Sequence, residues 1–90
     1  VDVSYDPAKR DKTLAERGPD FADAAAVFAG RHTVEPADRQ DFGEPRFISA
    51  GMLLGRVVVL VWTPRDGTRR IISIRYAHER EAWRWRQHLG

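Results

Sequence analysis

The residues best equipped for chemistry in this sequence are arginines. Residues 46–90 carry nine Lys/Arg, all of them arginine, against three Asp/Glu, whereas residues 1–45 carry six Lys/Arg against ten Asp/Glu. A guanidinium presents a planar fork of donors that matches phosphate oxygens in pairs, so an all-arginine basic half suits an anionic partner better than solubility alone requires. The plainer alternative is a solvated surface in which each arginine pairs with Glu44, Glu79 or Glu81. Glu44 and Arg46 stand two apart, Arg69, Arg70 and Arg75 frame an isoleucine-rich run, and His78 follows closely. Around a phosphodiester with a neighbouring ribose 2′-hydroxyl, cleavage needs a base for that hydroxyl, an acid for the departing oxygen, and cations around the phosphorus. Glu44 is the candidate base. Only histidine titrates near neutrality when unperturbed, which makes His78, or else His32, the candidate acid; a lone histidine is more often a surface or capping residue. His32, His78 and His88 form neither an i, i+4 pair nor an HxH motif, so no metal site is expected, and no cofactor is implied.

The elements that must position these groups follow from local patterns. Val1, Val3 and Tyr5 alternate with polar residues as in a short strand. Asp6-Pro7 supplies an N-cap and a proline at the first helical position, and Gly18-Pro19 ends the helix, which predicts helix over 7–17. Asp20 starts a second helix with Phe21, Ala24, Ala25 and Phe28 as its packing stripe. Thr33-Val34-Glu35 suggests a short edge strand stopped by Pro36, and 38–43 reads as a polar loop. Three strands are expected over 44–50, 56–63 and 69–76, joined by turns at 51–55 and 64–68, with Val57 to Trp62 as the central strand. Residues 77–89 close the chain as a helix with Ala82, Trp85 and Leu89 inward. The order β-α-α-β-β-β-β-α defines an α+β domain with a mostly antiparallel sheet, two N-terminal helices and one C-terminal helix. Strand alternation puts Glu44, Arg46, Ile48 and Ala50 on one face; on the last strand it groups Arg69, Ile71, Ser73 and Arg75 against Arg70, Ile72, Ile74 and Tyr76. Two or more arginines then project from one surface at roughly 5 to 7 Å spacing.

Ninety residues, 42% hydrophobic and 31% charged, suit one globular domain over 1–90. There is no cysteine for disulfides or thiolate-bound zinc. No apolar run reaches membrane-spanning length and no signal segment is visible, so a cytoplasmic location without membrane contact is expected. Trp62 reads as core. Trp83 and Trp85, two apart on a helix, cannot both face inward, so one is expected to be exposed and open to a partner.

Taken together the motifs resemble the BrnT family of type II toxin-antitoxin systems, and the resemblance runs nearly end to end. Tyr5-Asp6-Pro7-Ala8-Lys9 is similar to the family's Trp-Asp-x-x-Lys start, and Phe21-Ala22-Asp23-Ala24-Ala25 to its Phe-Glu-Glu-Ala helix. The segment from Asp38 to Phe47 resembles Arg-x-x-Tyr-Gly-Glu-x-Arg, with Phe42 in place of tyrosine. Gly51 and Gly55-Arg56 match a Gly…Gly-Arg hairpin, Val61-Trp62-Thr63 a Val-Tyr-Thr strand, and Arg70 to Ala77 the Arg-Ile-Ile-Ser-Ala-Arg-x-Ala signature; Glu81 follows at the expected distance. The resemblance implies a RelE-like fold and a metal-independent endoribonuclease that arrests translation. It also implies a BrnA-like antitoxin that neutralises the toxin and alone contacts operator DNA, with a toxin dimer inside a heterotetramer. Where the family has Lys-His late in the first helix, this chain has Glu16-Arg17, which keeps a cation there without a titratable proton.

The expected catalytic set is Glu44, Arg46, Arg75 and His78, and the expected phosphate- or RNA-binding set is Lys9, Arg17, Arg56 and Arg70. The rival expectations are a non-catalytic module that docks an antitoxin or nucleic acid, and a structural subunit of a repressor complex.

Overall fold

A computed structural model describes residues 2–37 and 43–89. The chain forms β1 (Val3–Ser4), α1 (Pro7–Arg17), a 3-10 turn (Phe21–Asp23), α2 (Ala24–Ala29), β2 (Glu35–Pro36), β3 (Phe47–Leu53), β4 (Arg56–Arg65), β5 (Thr68–Tyr76) and α3 (Glu79–Leu89). Of the expected loop at 38–43, residues 38–42 lie outside the described residues and Gly43 lies in a turn.

Caps fix the N-terminal helices where the sequence places them. Asp6 Oδ1 accepts from the Ala8 N–H at 2.9 Å, Pro7 occupies the first turn, and Gly18, at φ 94°, donates to the Thr13 carbonyl. Asp20 caps the 3-10 turn through the Ala22 N–H and receives a forked ion pair from Arg10, with Nε to Oδ1 at 2.9 Å and Nη2 to Oδ2 at 2.7 Å. The Arg10 guanidinium and then the Ala22 N–H hold the Asp20 carboxyl down at about 2.

The sheet has the order β1-β5-β4-β3-β2, with β4 at its centre as expected. It is mixed rather than uniformly antiparallel: β1 runs parallel to β5, with Val3 beside Arg69 and Ser4 beside Arg70, while the other three pairings are antiparallel. Both β-hairpin turns shrink to two residues, Leu54-Gly55 (φ 51° and 78°) and Asp66-Gly67 (φ 52° and 76°). Positive φ at both central residues is the turn whose twist matches the strands. The strands lengthen accordingly. β3 runs on through Gly51 to Leu53, and β4 takes in Pro64, which pairs with Arg69. Glycine at position 51 lets the strand pass close under α2, because a Cβ there would stand 2.5 Å from Val27 Cγ1. At its start β3 is shorter than expected, so Glu44 and Arg46 precede the strand.

The expected face assignment on β5 is corrected by a bulge. Val61 pairs with Ser73 but Trp62 pairs with Ile71, which leaves Ile72 as the extra residue. Cross-strand partners share a face, so Arg70, opposite Thr63, lies on the same face as Arg75, opposite Val59. Arg69 lies with Ile71 and Ile74 on the other face, where its guanidinium sits 4.4 Å from the Phe28 ring centre and 4.5 Å from that of Trp62. That inner face holds the main core: Phe21, Ala24, Val27 and Phe28 pack on Val58, Leu60, Trp62, Ile71 and Ile74. Trp62 is buried as expected and its Nε1 donates to Ser49 Oγ at 2.9 Å. Alternation places Val57, Val59 and Ala50, also buried, on the outer face, against which α3 packs. Leu89 is buried, Trp85 is half-buried and Trp83 is 66% exposed, which resolves the two indoles as the spacing predicts.

Candidate phosphate-binding site

α3 packs on the outer face, meeting it near Val57 and at Arg75, which lies opposite Val59. Toward Arg65 the face is open, and there a cavity of about 240 Å³ is lined by Asp6, Lys9, Glu44, Arg46, Thr63, Arg65, Arg70, Ile71 and Ile72. Each cation reaches it from a different element. Lys9 comes from the first turn of α1, Arg46 from the approach to β3, Arg65 from the end of β4, and Arg70 from β5 beside the bulge. Among the described residues, four cations and two carboxylates line the cavity. Asp6 spends an oxygen on the α1 cap, and Glu44 Oε1 accepts from Arg65 Nη2 at 2.6 Å. Lys9 and Arg70 have no carboxylate partner among the described residues. Beneath them Thr63 Oγ1 donates to the Pro45 carbonyl at 2.6 Å, which pins the Glu44–Arg46 segment to the end of β4. Among the described residues the lining carries more cations than carboxylates, with Lys9 and Arg70 uncommitted, a chemistry suited to phosphate.

Of the eight candidate residues, the structure gathers Lys9, Glu44, Arg46 and Arg70 and separates the other four. Arg75 is engaged by Glu81 through two hydrogen bonds, Nη1 to Oε1 at 2.6 Å and Nη2 to Oε2 at 2.8 Å. That pair raises the Arg75 pKa and lowers that of Glu81, whose Oε1 also accepts from the His78 backbone N–H. His78 is thereby the N-terminal cap position of α3, with an exposed side chain away from the cavity. Arg56 stacks on the Tyr76 ring at 3.7 Å. Arg17 ends α1, exposed. His32 is bonded through Nδ1 to the Gly30 carbonyl and meets the Phe28 ring edge-on. Residues 44, 46, 70 and 75 do not therefore form one cluster. Arg70 and Arg75 share a face, but their β4 partners Thr63 and Val59 lie four residues, about 13 Å, apart.

Arg65 and Thr63 were absent from the candidate set. A signal for them exists, since Thr63 and Arg65 share a face if β4 continues, but a turn expected at Pro64 hides it. Among the described residues no three His, Asp or Glu side chains are gathered as metal ligands. No described helix is long and apolar enough to cross a membrane.

Fold and cavity define a small α+β domain with a cavity lined by cationic side chains on one face of a mixed sheet. The chain belongs to the BrnT family, the ribonuclease toxins of type II toxin-antitoxin systems, whose family profile matches residues 5–81. A ribonuclease role and an antitoxin partner follow at the level of the family. No match is found among curated proteins.

Proposed function

We propose that the chain is a metal-independent endoribonuclease whose scissile phosphate rests in the cavity between α1 and the ends of β4 and β5. The observation that carries this reading is the convergence of Lys9, Arg46, Arg65 and Arg70 around Glu44. Arg65 holds one Glu44 oxygen. The other is free to take the proton of a ribose 2′-hydroxyl as that oxygen attacks phosphorus. Charge that builds on the equatorial phosphate oxygens meets the Arg46 and Arg70 guanidinium groups. The bond to the 5′-oxygen breaks, and that oxygen takes a proton from the Lys9 ammonium, leaving a 2′,3′-cyclic phosphate and a free 5′-hydroxyl. Lys9 here replaces His78 as the acid, because His78 lies outside the cavity. The nucleophile belongs to the substrate, so the reaction calls for no metal.

In this reading the toxin is cytoplasmic, has RelE-like architecture and arrests translation by cutting RNA. A BrnA-like antitoxin silences it and carries the operator-binding surface of a heterotetramer containing two toxins. The test is incubation of purified chain with RNA in EDTA. Wild type is expected to yield fragments ending in cyclic phosphate, and Arg70→Ala to cut at least about 100-fold more slowly. Retention of RNA without fragments would instead favour a non-catalytic binding module.

A further inference from the structure

A second cavity on the outer face, of about 320 Å³, is lined by Glu35, Glu81, Arg84, Trp85 and His88. This is at the small end of the range for ligand sites. We propose that it is a nucleobase subsite that selects guanine in single-stranded RNA; the assignment rests on the ribonuclease reading above.

Four observations converge on it. The first is position. Glu35 pairs with Ile48, which pairs with Val61, which pairs with Ser73, so this row lies on the face that bears Thr63 and Arg70 one row further along β4. Rows on one face are two residues, about 7 Å, apart along the strands, and Glu35 lies three strands, about 14 Å, across from Arg70, so both cavities open on one strip of the same face. Ile48, Val61 and Ser73 between them are only half-buried, leaving a floor over which a strand can run. The second is shape: the half-buried Trp85 indole offers a flat apolar surface, with the His88 ring 6.0 Å away. Single-stranded RNA is read by bases splayed onto such rings and hydrogen-bonded along their edges.

The third observation is the polar edge. Glu81 is committed to Arg75 and the His78 N–H, whereas the Glu35 carboxylate has neither hydrogen bond nor ion pair among the described residues. An uncommitted carboxylate fits adjacent N–H donors, which guanine presents at N1 and its 2-amino group. The Arg84 side chain, also without a carboxylate partner among the described residues, fits the O6 and N7 acceptors of the same base. Adenine, cytosine and uracil lack that combination. The fourth is that Arg84, Trp85 and His88 come from one face of α3, so a single helix carries both the ring and the cation of the pocket.

The test uses the full chain and 2′-O-methyl trinucleotides, which cannot be cleaved, with guanine, adenine, cytosine or uracil at the middle position, followed by indole fluorescence and by NMR of the indole N–H groups. Guanine is expected to bind at least about tenfold more tightly than the others, with the Trp85 indole resonance shifting. Glu35→Gln should erase the preference while leaving the other three affinities unchanged. Trp85→Ala should weaken all four, and Trp85→Phe should restore stacking, which separates loss of the subsite from loss of the fold. Equal affinity for the four trinucleotides, or a guanine preference that survives Glu35→Gln, would overturn the proposal. Guanine-selective binding by a chain that cuts no RNA would uphold the subsite while rejecting the ribonuclease reading.

Discussion

Arg70 and Arg75 stand on one face of one strand and have opposite surroundings. Arg70 opens into the cationic cavity with no carboxylate partner among the described residues, whereas Arg75 is clamped by both oxygens of Glu81 at the start of α3. Arg75 is thus a positioning residue that holds α3 against the sheet. Its pair is about one-third exposed, so its contribution to stability is discounted for solvent screening to about 1 kcal/mol. Glu81 and Asp20 both have lowered carboxyl pKa values, because each accepts from an arginine and a backbone N–H. A lowered native pKa means that the stabilisation is complete above the ordinary carboxylate range and is lost as pH falls through the native values. For Asp20 that window runs from 3.8 down to about 2. Urea midpoints measured against pH are therefore expected to be flat from neutrality to about pH 5 and to fall steeply below 4. Asp20→Asn and Glu81→Gln should each make that fall shallower. An unchanged acid limb in both variants would remove these pairs from the account.

At the scale of elements, legibility in the sequence tracks how local the determining physics is. α1 is readable to the residue because Asp6-Pro7 and Gly18-Pro19 act within a turn of it. β4 is readable as the central strand because Val57 to Trp62 is apolar on both faces. The bulge is not: Ile71 and Ile72 are chemically identical neighbours, and either can point inward, so nothing in the sequence says where alternation resets. That one residue moves Arg70 from the side assigned by simple alternation to the side of Arg75. Only half of the candidate site was accordingly legible, and Arg65 was hidden because Pro64 reads as a turn residue yet is carried by the end of a strand. The β3–β4 hairpin offers a further test. Leu54 holds φ 51°, a conformation disfavoured for a bulky side chain by roughly 1 kcal/mol or more, and it is 86% exposed. Leu54→Asn should relieve the strain without disturbing the core and raise the melting temperature by about 4 to 8 °C, read by circular dichroism. No gain would mean that the turn derives its stability from contacts of the leucine itself.

The whole molecule is closed by its least local contact, the parallel pairing of β1 with β5. That pairing sets Asp6 and Lys9 beside Arg70, so segments far apart in the sequence contribute to one cavity. Contacts of this kind are the slowest to form, because the intervening chain must be ordered first. The consequence concerns synthesis. A ribosome that has made everything up to Arg65 has not yet made the cavity, since β1 still lacks the strand it lies against. In the proposed reading the growing polypeptide is therefore unable to cut the message that encodes it before β5 has been made. In a cell-free system, chains stopped ahead of Thr68 should leave their own mRNA intact while the finished chain degrades it; equal degradation by both would show that the toxin needs no such closure.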